Sequence, residues 1–325
     1  MKKFLRLFFS GFMMGSADTV PGVSGGTIAF LLGIYEQLIY SIKLLSGEVL
    51  HLIVRLKIKE AWQKVPFGFL VPLFLGMMTA ILALSNGISY LLKHQPEFVW
   101  SFFFGLVLAS VMVVRKRVVT WNKHDYFALV LTAIFAYFLV GSVPVETPAT
   151  LLAFLLAGAV AICAMILPGI SGSFLLVIMG KYEQVLTAVS EQNFLVLGAV
   201  MTGSILGLAL FSRLLSWLFA KHHDIVVAAL IGFMIGSLRK VWPWKEVIST
   251  RINSHGEVVP LLESNVLPIL NSAFFFSLVL IALGFGLILF LDRFNVTKES
   301  VKDVEDKQFE KEHAKALRSQ KSGEI

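Results

Sequence analysis

The chain of 325 residues is 57% hydrophobic and only 15% charged, with a mean hydropathy of +0.80, values that exclude an ordinary soluble domain and indicate a polytopic membrane protein. Its net charge of +7 is explained by basic loops at a membrane surface and calls for no nucleic-acid partner, while a single cysteine, Cys163, excludes an internal disulfide.

The first element, "MKKFLRLFFSGFMMGSA", resembles a signal peptide with a small-residue end, but it has a counterpart in the second half and is read as retained. It is the first arm of a hairpin whose tip is "DTVPGVSGG" and whose second arm is "TIAFLLGIYEQLIYSI". Residues 44–64, with Val49, Leu52, Ile53 and Leu56 set against Arg55, Lys57 and Lys59, predict an interfacial amphipathic helix near anionic headgroups. Spans follow near 67–92, 98–114 and 125–141, lying in runs free of charge from 66–92, 98–114 and 126–145 and close to the ~20 residues a helix needs to cross a bilayer. The stretch Thr147–Gly180 is too long for one helix and is broken by "PGISG", so it predicts a second hairpin. Charge-free runs at 192–212, 225–238 and 264–291 supply three more spans. The short run at 225–238 borrows Arg239 and Lys240, whose stems can snorkel. The charged residues from 297 onward predict a solvated tail.

The two hairpins are copies. Between residues 17–39 and 164–186, nine of 23 positions are identical, against about one or two by chance. Further on, Gly76, Ser85, Ser89, Gly105 and Ser110 match Gly203, Ser212, Ser216, Gly232 and Ser237 at an offset of 127. The predicted fold is therefore an all-α polytopic membrane protein built as an inverted repeat, each half one re-entrant helical hairpin plus three transmembrane helices. Residues 1–146 form the first repeat (hairpin 3–42) and 147–296 the second (hairpin 150–188), and 297–325 are a cytoplasmic tail. Irregular backbone at membrane depth is tolerated only when buried in protein or lining a wet cavity, which is the reason for reading re-entrant hairpins.

Charge sets the orientation. Lys2, Lys3 and Arg6 share a face with Lys43, Arg55, Lys57, Lys59, Lys64 and "RKRVVTWNK", while "GSVPVETPA" lies opposite with no basic residue, so both termini are placed in the cytoplasm. The loop after Leu238 departs from this pattern, holding Arg239, Lys240, Lys245 and Arg251 beside Glu246, Glu257 and Glu263.

Inverted repeats with broken helices near the midplane are the architecture of alternating-access transporters. Each tip would begin a helix with free backbone N–H groups. Glycine permits close approach, so Ser24, Gly25, Gly26 and Thr27, with Ser171, Gly172 and Ser173, form a candidate anion cradle in which phosphate is the leading ligand. Arg213, within an apolar span, is a candidate bidentate phosphate contact or a snorkelling cation. Glu36 and Glu183 follow the tips by 12 residues, ~18 Å along a helix, as headgroup-level carboxylates or proton sites. Asp18 has Met165 as its counterpart and could cap the following turn or meet the substrate as a protonatable group. Gly76, Gly105, Gly203 and Gly232 are most simply close helix contacts.

"ADTVPGVSGGTIAFLLGIYEQLI" and its "PGISGS" echo resemble a bacterial family of polyprenyl-phosphate transporters, the PopT type, formerly a domain of unknown function; the resemblance runs from the N-terminus to about residue 292. It implies recycling of undecaprenyl phosphate, the lipid carrier of cell-wall precursors, from the outer to the inner leaflet of the bacterial cytoplasmic membrane. The lipid substrate comes from this resemblance, whereas the residues alone give an anion site. Two other classes compete. A secondary transporter of a small soluble anion such as phosphate would use the same cradle. An intramembrane hydrolase would use the G-x-S-x-G at "GVSGG", but all seven histidines fall in or beside loops, and within the hairpin arms only Lys181 could serve as a lysine base. No cofactor, metal cluster or nucleotide-binding loop is expected; the partners are the polyprenyl phosphate lipid, the bilayer and protons as coupling ion.

Overall fold

The computed structural model describes residues 2–20, 22–145, 147–252 and 258–294; Pro21 of the first tip and the expected tail at 297–325 lie outside them. The elements are α1 (Lys2–Asp18), α2 (Gly25–Leu31), α3 (Tyr35–Leu44), a π turn (Leu45–Val49) leading into α4 (Leu50–Val54), α5 (Ile58–Lys64), α6 (Phe67–His94), α7 (Pro96–Val114), α8 (Lys123–Val140), α9 (Leu151–Ile166), α10 (Gly172–Ile178), α11 (Tyr182–Ser190), α12 (Phe194–Ser237), β1 (Lys245–Ile252), β2 (Val258–Asn265) and α13 (Ser272–Phe294). Among the described residues six stretches are long and apolar enough to cross a membrane: Tyr35–Val54, Phe67–His94, Pro96–Arg117, Lys123–Val140, Phe194–Ser237 and Ser272–Arg293. Their apolar side chains, such as Leu82, Phe138, Leu210 and Phe290, face outward, an arrangement suited to lipid. The protein is a mainly helical, multi-pass membrane protein.

Several expectations need correction. The spans expected at 192–212 and 225–238 are two helices that meet at a kink at His222, where φ is −139° and ψ 50°, and they follow one another without a loop as the two limbs of α12. The six membrane-length stretches therefore differ in membership from the six expected spans, since Tyr35–Val54 joins them. Residues 44–64 are not one interfacial helix: the π turn carries α3 onward to Val54, and Leu56, at φ +59°, turns the chain before α5. The second hairpin arms are likewise interrupted, at Gly33 and Gly180. The fold is not wholly α, because the loop after Leu238 forms the antiparallel hairpin β1–β2. Its first strand, "KEVISTRI", is rich in β-branched residues and carries no helical apolar stripe.

The duplication read from the sequence recurs in packing. Gly76 sits against the carbonyl of Phe8, and Gly203 against that of Leu155; Gly11 sits against Leu73, and Gly158 against Val200. Each second pair is the first displaced by 147 residues on the hairpin and 127 on the span. Small residues let the backbones touch, so α1 lies along α6 and α9 along the first limb of α12. The halves are also interleaved. Gly105 of α7 meets Ile281 of α13, while Gly232 in the second limb of α12 meets Leu129 of α8. At the centre of this assembly the first hairpin is wedged inward. Val20, Val23, Ile28, Phe30 and Leu31 are buried with Val227, Leu230, Ile231 and Met234 of α12 and with Phe103 and Leu106 of α7.

Candidate functional site

The two tips have matching backbones. Gly22 and Gly169 both take positive φ, +87° and +89°, a conformation that a Cβ strongly disfavours, and 11 residues further on Gly33 and Gly180 repeat the pattern at +76° and +64°. The doubled glycines seen in the sequence therefore mark doubled turns.

The tips touch. The backbone N–H of Gly169 donates to Thr27 Oγ1 at 2.9 Å, and the hydroxyl of Ser24 donates to the carbonyl of Met165 at 3.3 Å. Gly26 allows this approach, since a Cβ there would stand 2.8 Å from the carbonyl oxygen of Ile166. The structure thus sets Ser24, Gly26 and Thr27 of the first tip against Met165, Ile166 and Gly169, about 140 residues further on, whereas Ser171 and Ser173 bond each other and Gly172 packs on Ala161.

Within that cluster the first tip is closed on itself. The N–H of Gly25 donates to Asp18 Oδ1 at 2.6 Å, and the N–H of Gly26 donates to Ser24 Oγ at 3.1 Å, so Ser24 is the N-cap of α2. Asp18 accordingly caps the turn. The Asp18 carboxyl already occupies the place where the sequence suggested a ligand, and residues 22–31 are buried. The second tip differs because Met165 stands in place of Asp18. Ser171 Oγ lies 2.8 Å from Ser173 Oγ, Ser171 makes no side-chain cap, and Ser173 is exposed. Leu152, Leu156, Val160 and Met165 form an outward apolar stripe along α9.

The other candidates lie elsewhere. Arg213 does not join the tips; its Nη2 donates to the carbonyl of Ser46 at 3.4 Å, next to the π turn. Glu36, in the first turn of α3, is 3.4 Å from His223 Nε2 beside the break in α12, and His223 Nδ1 is 3.2 Å from Asp224, which accepts from the N–H groups of Val119 and Thr120. Glu183 holds the equivalent first-turn position on α11. At the C-terminal end of α2, Arg117 donates to the carbonyl of Leu31 at 3.1 Å, where a cation complements exposed carbonyls. Lys181 is fully buried and donates to the carbonyls of Thr147 and Pro148 and to Gln184, holding the base of the second hairpin. Ser24 Oγ, the serine of "GVSGG", is engaged with the Met165 carbonyl and the Gly26 N–H.

Sequence reasoning missed one group. Lys240, expected as a snorkelling cation at the end of a short span, and Lys245, which stood out as a departure from the charge pattern, both face Glu263, at 3.5 and 3.4 Å. Lys245 is buried against the Trp100 ring, 4.0 Å from its centroid, while Lys240 passes over Gly22 of the first tip. Burial pushes the Lys245 ammonium down to about 8, against the opposing pull of Glu263. Burial acts to raise the Glu263 carboxyl, but the two ammonium groups together hold it below its ordinary value. The cluster of cations in a loop expected to hold few was the available signal.

A family model described as VCA0040-like, undecaprenyl phosphate translocase-like, matches residues 14–259. The chain is 41% identical over 298 residues to a polyprenyl-phosphate transporter of Vibrio cholerae serotype O1, covering 90% of this chain and 97% of that one. It is 32% identical over 251 residues to a polyprenyl-phosphate transporter of Staphylococcus aureus, covering 72% and 84%. No solved structure matches.

Proposed function

The chain belongs to the undecaprenyl phosphate translocase-like family, and on that premise we propose that it carries undecaprenyl phosphate from the outer to the inner leaflet of the bacterial cytoplasmic membrane for cell-envelope synthesis. Transport proceeds by alternating access around a phosphate site at two re-entrant hairpin tips. The observation that carries this reading is the junction of two duplicated Gly-Ser tips, bonded from Gly169 N–H to Thr27 Oγ1.

Supporting it, α1 and α9 have 17 and 16 residues, ~25 Å each, short of the ~30 Å hydrocarbon core, and both end where the tips meet. With Tyr35–Val54 taken as the returning arm of the first hairpin, each half carries three spans, α6 to α8 in one and the two limbs of α12 with α13 in the other. An odd number of crossings inverts the second copy, and both termini lie in the cytoplasm. The two tips are in different states, the first closed by Asp18 and the second open at Ser173, as expected of a site that faces one side at a time. The stripe on α9 suits a substrate whose tail stays in the bilayer while its headgroup moves. Inward movement of a phosphate opposes an inside-negative potential by ~2.3 kcal/mol per charge per 100 mV, and co-transported protons on Asp18, Glu36 or Glu183 would offset it.

The test is reconstitution into liposomes, comparing translocation of labelled polyprenyl phosphate with uptake of inorganic phosphate. Lipid translocation without phosphate uptake is expected; the converse assigns the soluble-anion reading. Cysteines at positions 45 and 190 should label from opposite faces, and labelling from one face would refute the inverted arrangement.

A further inference from the structure

The C-terminal end of α12 and the residues just after it touch both tips. Gly169 of the second tip packs against Met234 and Ser237, and a Cβ at Gly22 of the first would stand 2.9 Å from Cγ of Lys240. The Lys240 ammonium itself lies 4.9 Å from the centroid of the Phe174 ring, in the first turn of α10. Lys240 is thus the one charged side chain among these contacts, and a single lysine spans the junction.

Its electrostatic surroundings are unbalanced. Two ammonium groups share the carboxylate of Glu263, which leaves one positive charge in excess. Lys245 is fixed in place by burial against Trp100, its side chain only 7% exposed, whereas the side chain of Lys240 is 23% exposed and its contact with Glu263 is long. The neighbouring Arg239 is engaged elsewhere, donating to the carbonyl of Tyr137 at 3.0 Å. Meanwhile the amides of the first tip are taken by Asp18 and Ser24, and the second tip offers uncharged hydroxyls. A phosphate arriving at this junction meets neutral donors and needs a cation in a low-dielectric setting.

We propose that Lys240 is the phosphate-receiving cation of the transport site, exchanging its contact with Glu263 for the phosphate monoester at the second tip, with Lys245 keeping Glu263 neutralised when it leaves. This rests on the tip-centred reading above and assigns to it a charged residue outside the duplicated motif. The recognised chemistry is a phosphate monoester, borne by a lipid or free.

The experiment measures binding of a fluorescent polyprenyl phosphate to the full chain in nanodiscs, with inorganic phosphate as competitor, for wild type and for Lys240→Gln, Lys240→Arg, Glu263→Gln and Gly172→Val. Loss of a charge-assisted hydrogen bond predicts a 10- to 100-fold weaker lipid affinity in Lys240→Gln, on the order of 1.5–3 kcal/mol, with recovery in Lys240→Arg. Glu263→Gln frees the lysine and should bind more tightly, which a merely structural lysine would not produce. That second variant decides the matter should Lys240→Gln fail to fold. A lipid affinity that weakens in Lys240→Gln assigns the lipid headgroup; an effect confined to competition by inorganic phosphate assigns the free ion. Wild-type binding in both Lys240→Gln and Glu263→Gln overturns the proposal. If Gly172→Val abolishes binding in that case, the tips stand without the lysine; if it binds normally too, the tip-centred reading falls with it.

Discussion

Replacing Thr27 by valine isolates the bond that joins the two hairpins. Thr27 is fully buried and its Oγ1 accepts from Gly169 N–H at 2.9 Å, so valine keeps the shape of the side chain and deletes the acceptor. Gly169 is buried as well, and its N–H would be left without a partner inside the protein. A buried donor in that condition costs about 1–3 kcal/mol. Because the proposed site exists only while the tips are joined, the penalty falls on that arrangement and lowers its population by about 5- to 150-fold. Initial rates of polyprenyl phosphate translocation in proteoliposomes should fall within that range, and the melting midpoint in detergent should fall with them. Thr27→Ser retains the hydroxyl and loses one methyl, worth about 1 kcal/mol, so it should remain clearly more active than valine. Wild-type transport and melting in Thr27→Val would refute the reasoning, as would equal damage in the serine and valine variants.

Gly172→Val should abolish transport while leaving folded protein in the membrane, since a Cβ there would stand 2.5 Å from the carbonyl oxygen of Ala161; normal lipid translocation would exclude a shared tip site. Gly25→Val is expected to behave alike by displacing Asp18, whose Oδ2 would lie 2.5 Å from the new Cβ, and the same assay reads it. Under an imposed pH gradient, Glu36→Gln should lose part of the wild-type response because it removes one of the two carboxylate partners of His223, and Glu183→Gln tests the matching position; identical responses in all three would make these carboxylates structural. Lys245, with a folded pKa of about 8 against 10.5, binds its proton less tightly when folded, so its contribution to stability rises from about pH 8 to about 10.5. Full relief amounts to ~3 kcal/mol. Melting midpoints in detergent should therefore rise less over that window in Lys245→Met than in wild type; parallel curves would show that burial of this ammonium does not limit stability.

The membrane class, the helical segments and the duplication were legible from the sequence because each is a local property. Apolar runs of the length of α6 to α8 span a bilayer whatever they pack against, and the glycines at 22 and 169, or 33 and 180, mark turns that few other residues tolerate. The matched glycines on α1, α6, α9 and α12 likewise kept their meaning, since a missing side chain admits a neighbouring backbone wherever it occurs. Local rules were weaker for the chain between residues 35 and 64, where a π turn and Leu56 rearranged an amphipathic segment, and for β1–β2, whose short β-branched strands were hidden in a charged loop. The assignment of polar partners belonged wholly to the tertiary structure. Gly25 gives its N–H to Asp18, Arg213 turns to Ser46, Glu36 reaches His223 and Lys240 lies over Gly22. Three of these four contacts join residues more than 160 positions apart, so their geometry depends on how distant elements pack, the first hairpin against α7 and α12 among them. A polar side chain held in such a core takes whichever complementary group that packing brings within reach, and desolvation makes the choice costly to change.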